Sequence, residues 1–240
     1  MGYIEGFVVA VPAANKEAYR KHAEEALSYF KGLGVTRMVE TWGDDVPDGK
    51  VTDFKGAVQA KPDEVVLFSW LEYPSKAVRD AANAKMTADH DMKEMGKDMP
   101  FDGQRMIFAG FEALVDEGKG DKPGYVDGTL IPVPLANKEA FRAWAARMAA
   151  LFREHGATRV VDGWGDQIPD GKVTDFKRAV KAKDGETVIY GWVEWPSKEV
   201  RDAAWGKLMA DPRMHADKDT PPLFDGQRMV YGGFAPILDA

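Results

Sequence analysis

The sequence predicts an α+β fold: two ferredoxin-like βαββαβ repeats packed sheet to sheet as an intramolecular, pseudo-dimeric α+β barrel. Three observations carry this expectation. The chain repeats itself: Trp42–Val58, WGDDVPDGKVTDFKGAV, returns 122 residues later as Trp164–Val180, WGDQIPDGKVTDFKRAV, with three differences in 17 positions. Tyr3–Arg20 likewise matches Tyr125–Arg142, YPSKAVRDAA matches WPSKEVRDAA, and FDGQRM at Phe101 returns at Phe224, one residue further along. So long a period marks a duplicated domain, not a solenoid. Each copy also reads strand-helix-strand-strand-helix-strand, the split βαβ order. Finally, the third strand of each copy is apolar on both faces, while the helices of such a fold cover only one. Two copies that bury their bare faces together solve this problem, as the fused form of a symmetric dimer.

Within the first copy, Tyr3–Val11 is β-rich and bounded by Pro12, hence a strand. Asn15 is placed to cap a helix whose inner stripe is Tyr19, Ala23, Ala26, Leu27 and Phe30, ended by Gly32 and Gly34. Thr36–Trp42 is the second strand, followed by the shared Gly/Pro/Asp-rich segment, and Val65–Tyr73 is the third. Ser75 caps a second helix with Val78, Ala81, Ala82 and Met86 inward; a looser stretch runs to Met99-Pro100, and Gln104–Phe111 is the last strand. The expected domains are residues 1–116 and 124–240, joined by a polar linker, 117–123, EGKGDKP.

Hydrophobic residues make up 45% and charged residues 30% of the 240, the profile of a globular domain with a real core. The net charge of −7 disfavours nucleic-acid and anionic-membrane partners, which need basic surface. No run approaches the roughly 18–20 apolar residues of a membrane span, and the N-terminus reads as a strand, so the expected location is cytoplasmic. Without cysteine there are no disulfides, thiolate nucleophiles or cysteine-ligated metals. His22, His90, His155 and His215 have no histidine counterpart in the other copy, which argues against a duplicated metal, haem or histidine-based site. No phosphate loop, hydrolase elbow or zinc motif is present. No cofactor is expected.

Two regions are candidates for ligand contact. Alternation puts Phe68, Trp70 and Glu72 on one face of the third strand, towards the barrel interior, with Tyr190, Trp192 and Glu194 repeating the pattern. Arg105 and Arg228 are placed on the last strands, and further carboxylates, Glu5/Asp127 and Glu40/Asp162, lie on other strands. Such a set could line a cavity for a small molecule, with a carboxylate of raised pKa as acid or base; equally, Glu72 and Arg105 could be a structural pair. Trp42/Trp164 and Trp70/Trp192 recur in both copies and serve either as core or as ligand platform. The shared loop is the second region, with Asp48, Lys50 and Asp53 repeated as Asp170, Lys172 and Asp175. Its spacing does not fit an EF-hand, so no metal is expected there. Val46-Pro47-Asp48-Gly49 is a turn signature, and the loop reads as a latch between copies or as a ligand contact. As a latch, it implies that alanine at Asp48 and Asp170 lowers stability before it alters binding.

The motif W-G-D-x-[VI]-P-D-G-K-V-T-D-F-K-x-A-V, followed by a W-x-E strand with P-S-K-x-V-R-D-A and then F-D-G-Q-R-M, resembles the YbaA-like bacterial family, domain of unknown function 1428. The resemblance covers nearly all of each copy and implies a ferredoxin-like subunit that pairs into a dimeric α+β barrel. That family has no established biochemical role; its wider superfamily includes cofactor-free monooxygenases, haem enzymes and small-molecule-binding proteins. The sequence therefore points to an α+β barrel protein that binds a small molecule in or beside the barrel, with or without catalysis. A non-catalytic interaction protein and an RNA-associated protein are the alternatives. The expected assembly is a pseudo-twofold monomer or a further homodimer of it.

Overall fold

A computed structural model describes residues 2–89, 99–120, 122–215 and 220–240. His90 and most of the looser stretch before Met99 lie outside the described residues. The first copy supplies β1 (Tyr3–Pro12), α1 (Lys16–Gly32), β2 (Arg37–Asp45), the short α2 (Phe54–Ala57), β3 (Glu64–Tyr73), α3 (Lys76–Ala88) and β4 (Ile107–Gly118). The second supplies β5 (Tyr125–Pro134), α4 (Lys138–Glu154), β6 (Arg159–Gln167), α5 (Phe176–Ala179), β7 (Glu186–Trp195), α6 (Lys198–Ala210) and β8 (Val230–Asp239).

The eight strands close into one antiparallel ring, β1-β3-β2-β8-β5-β7-β6-β4. Each copy keeps the ferredoxin-like order 4-1-3-2, and its edge strands pair with the other copy, β2 with β8 and β4 with β6. Among the described residues the ring thus leaves no unpaired strand edge to recruit another chain. The last strand begins at Ile107, three residues later than the sequence suggests, and runs on through Glu117 and Gly118, the first residues of the expected linker. It is held there by β6, where Gly118 faces Arg159.

Alternation along the strands separates two packing layers. Ile4, Val8, Val39, Phe68, Trp70 and Phe111 face inward and join Val126, Tyr190, Trp192 and Phe234 in one core shared by both copies. The interior is built as stacked symmetric pairs. Phe68 lies on Tyr190 with centroids 4.3 Å apart, and Trp70 on Trp192 at 4.4 Å. Phe54 and Phe176, carried by α2 and α5, cap this stack edge-on against Phe68 and Tyr190. So close an approach needs glycine beside the rings: a Cβ at Gly6 would stand 2.8 Å from the Tyr190 ring, and one at Gly128 2.9 Å from Phe68.

Outside the ring, α1 and α4 each cover one sheet. Tyr19, Ala23 and Ala26 are the buried face of α1, as their spacing predicts. Ser75 caps α3, accepting from the Val78 amide at 3.4 Å. Two local expectations change. Asn15 occupies the N-cap position, but its side chain makes no cap; its amide donates instead to Pro100 O at 2.8 Å, as Asn137 does to Leu223 O at 2.9 Å. On α3 the inward places belong to Arg79 and Ala82, while Ala81 is exposed. Arg79 tolerates burial because Glu5 accepts from it at 2.9 Å and Gln167 of the other copy accepts too.

Candidate functional site

The inward face of the third strands does not form a ligand chamber, because the stacked rings fill it. At the end of that stack, Glu72 and Glu194 are taken up in an ion cluster. Arg159 donates to both Glu72 oxygens at 2.7 and 2.9 Å, and Arg37 to both Glu194 oxygens at 2.7 and 3.2 Å. Arg159 also grips Asp116, and Arg37 grips Asp239, in both cases across the copies. Trp70 and Trp192 donate their indole N–H to Glu72 and Glu194 at 3.0 Å. Neighbouring carboxylates hold both guanidinium pKa values above the ordinary arginine value, against the opposing effect of burial.

Arg105 and Arg228 are elsewhere, in the turns before the last strands and not on them. Arg105 makes a bidentate pair with Glu64 at 2.7 and 2.6 Å, and Arg228 with Glu186 at 2.7 Å twice; Arg105 does not meet Glu72. These arginines hold Glu64 down to about 2 and Glu186 below the usual carboxylate range. Trp42 and Trp164 face outward under the Lys16 and Lys138 ammonium groups, 5.3 and 5.5 Å from the ring centres.

The shared loop joins the copies through residues other than its exposed acids. Thr52 Oγ1 donates to Ala179 O at 2.5 Å, and Thr174 Oγ1 to Ala57 O at 2.7 Å. Asp53 caps α2, accepting from the Gly56 amide at 2.6 Å and from Gly49 at 2.9 Å; Asp175 does the same for Arg178 and Gly171. Asp48 and Asp170 only meet Lys55 and Lys177 on the surface, so the sequence-based expectation that they carry stability moves to Asp53 and Asp175. Lys50 and Lys172 are exposed. Asp48, Lys50 and Asp53 line an open cleft of about 470 Å³ facing Gln227 and Tyr231.

Two further clefts lie on the outer side of the sheet, one beneath the long helix of each copy. In the first copy a cleft of about 190 Å³ is lined by Tyr19, His22, Phe30 and Phe101, with Glu40 at its floor. Tyr19 donates its hydroxyl to Glu40 at 2.8 Å. The Ser69 hydroxyl faces the same carboxylate without reaching hydrogen-bond geometry. Burial pushes Glu40 up to about 6 despite these hydroxyls.

The matching cleft of the second copy measures about 470 Å³. Trp144, Met148 and Phe152 line it at four-residue spacing along α4, with Trp205 from α6, Met214 and Phe224 opposite. Asp162 on β6 forms its floor, and both hydroxyls that face Glu40 are missing: Phe141 stands for Tyr19 and Gly191 for Ser69. Phe7 and His22 are replaced by Thr129 and Trp144. A Cβ at Gly191 would lie 2.6 Å from Asp162 Oδ1 and 2.8 Å from Thr129 Oγ1, so the glycine gives the carboxylate its room. No described residue donates a hydrogen bond to Asp162 or pairs with it, and burial alone pushes it up to about 7. The sequence reading noted Glu40 and Asp162 only as further carboxylates. The available signal was that buried differences between the copies gather around them.

The Asp162 assignment predicts a pH effect. Between its unfolded value near 4 and its folded value of about 7, the folded chain binds more protons, so stability falls as pH rises through that window. Asp162→Asn removes this slope. The variant is expected to match the parent at pH 4 and to be about 1–3 kcal/mol more stable at pH 8, read from urea denaturation. An equal slope in both proteins would show a solvated carboxylate.

The fold and clefts define an α+β barrel of fused ferredoxin-like repeats. Residues 2–103 and 124–226 each match the family described as Protein of unknown function (DUF1428), and the chain belongs to that family. It is 62% identical over 117 residues to "Uncharacterized protein YbaA" of Escherichia coli K12 and of Shigella flexneri, covering 49% of this chain and 100% of each relative. Among solved structures it is similar to a "Putative monooxygenase" from Fusobacterium nucleatum, with TM-score 0.63 and 10% identity over 99% of this chain and 93% of that one. An "anthrone oxidase-like protein" aligns with TM-score 0.51 and 14% identity over 100% and 92%. These likenesses carry the fold. No helix among the described residues is long and apolar enough to cross a membrane.

Proposed function

We propose that this protein binds a small, largely apolar molecule beside the barrel, in the cleft between α4 and the second sheet. The observation that carries this reading is the unpartnered Asp162 carboxylate at the floor of an aromatic and methionine-lined cleft of about 470 Å³. Apolar walls with a single polar anchor are the usual make-up of a small-molecule site, and the volume lies in the usual range of a few hundred Å³. A protein that served only to latch two sheets has no use for a half-buried carboxylate that no described residue pairs with, at the floor of an apolar cleft.

Thr129→Phe tests the reading, since phenylalanine stands at the corresponding Phe7 of the smaller cleft. With 2-naphthol as probe in calorimetry, the parent chain is expected to bind and the variant to lose roughly tenfold or more in affinity, equivalent to about 1.4 kcal/mol. The melting temperature of the free variant should stay within a few degrees. Undiminished binding by the variant would remove the cleft from consideration.

A further inference from the structure

We infer that the second-copy cleft is a site for a hydrophobic amine, its protonated nitrogen pairing with Asp162 and its apolar body lying among Trp144, Phe152, Trp205 and Phe224. This inference rests on the reading that the cleft takes an apolar ligand, and adds the charge of that ligand.

The local charges favour a cation. Three charged side chains line the cleft: Asp127, Asp162 and Arg201. Arg201 already faces Asp127 at 2.8 Å and, beyond the cleft, Asp45 and Asp202 at 3.0 Å each. Asp127 in turn accepts from the indole N–H groups of Trp195 and Trp205 at 2.9 and 3.0 Å. Asp127 and Arg201 thus satisfy each other, and the uncompensated charge at the floor is that of Asp162. An anionic ligand would meet this charge at close range. A neutral alcohol would supply one hydrogen bond. An ammonium supplies a charge-assisted hydrogen bond to the carboxylate and a favourable field over the faces of the surrounding rings.

The two copies support the assignment by their difference. In the first copy Tyr19 supplies the proton donor that Glu40 needs. The second copy has lost that hydroxyl at Phe141 while keeping a carboxylate at the same place, which leaves the donor to come from outside. Besides Asp127 and Arg201, the only other titratable group lining this cleft among the described residues is the exposed Tyr231 phenol. Pairing with an amine therefore follows the ionisation of Asp162.

The test uses three probes that share an indole ring: tryptamine, tryptophol and indole-3-propionate, titrated calorimetrically into the full chain. At pH 8 tryptamine is expected to bind at least about tenfold tighter than tryptophol, and indole-3-propionate weakest. Lowering the pH to 6 should weaken tryptamine about tenfold and leave tryptophol unchanged, as a carboxylate titrating near 7 requires. Asp162→Asn should erase the preference for tryptamine while keeping tryptophol binding, and Phe141→Tyr, which restores the internal donor, should reduce it. Equal binding of tryptamine and tryptophol by the parent would overturn the amine assignment and leave the apolar-cleft reading standing. A preference that survives in Asp162→Asn would overturn it likewise. Absence of binding by all three probes, together with 2-naphthol binding that Thr129→Phe leaves intact, would overturn both.

Discussion

Replacing Arg159 by alanine is expected to lower the unfolding free energy by about 3–5 kcal/mol, the usual result of breaking a buried ion pair from one side. Arg159 makes bidentate contacts with Glu72 and with Asp116, both from the other copy. Without it, Glu72 keeps only the longer 3.4 Å contact with Arg37 and the Trp70 N–H, at a site where its side chain is 17% exposed. The neighbouring Glu194 side chain is fully buried and cannot turn to water for compensation. Urea denaturation followed by far-UV circular dichroism measures the loss. Asp48→Ala serves as the contrast, because the Asp48 side chain is 82% exposed in its pair with Lys55 and its removal should cost less than about 1 kcal/mol. A loss below about 1 kcal/mol for Arg159→Ala would mean that water reaches the barrel end and screens the cluster.

Phe176→Ala is expected to have an effect of similar size, about 3–5 kcal/mol, by opening a cavity in the shared core. Phe176 is fully buried and meets Phe111 of the other copy at 5.4 Å and Tyr190 of its own copy at 5.8 Å. It closes the barrel at the end away from the arginines, so its loss removes packing from both halves at once. For a chain of this size the corresponding fall in melting temperature is roughly 10 °C. Asp175→Ala, which removes the cap that positions the phenylalanine, should cost about 1 kcal/mol. If Phe176→Ala melted like the parent, the loop would not be a plug.

How much was legible in the sequence follows from the range of the interactions concerned. The repeat, the strand and helix order and the Ser75 cap depend on neighbours within a few residues, and periodicity exposes them. The inward direction of Phe68, Trp70 and Glu72 follows from alternation once the bare faces are placed together. What those residues meet there was not legible. Arg37 grips a glutamate 157 positions away and Glu64 binds an arginine 41 positions away, and neither distance leaves a local trace. The burial of Arg79 on α3 has no local signal either, because arginine is ordinarily a surface residue and only its pairing with Glu5 on β1, 74 positions away, makes it an inner residue. Asp162 was hardest to see, because its distinction is the loss of a partner. Comparing Phe141 with Tyr19 shows the loss only after Glu40 is known to need the hydroxyl.

The edge pairings of β2 with β8 and β4 with β6 have a consequence for how the protein behaves on dilution. A barrel closed between two separate chains exists only above its dissociation constant, and its melting temperature shifts with concentration. Here both edges are closed within one chain, so ring closure is unimolecular and dilution does not reverse it. Covalent linkage also frees the halves from sequence identity. Two identical chains must present two identical clefts, whereas this chain holds one carboxylate with its own tyrosine and leaves the other open.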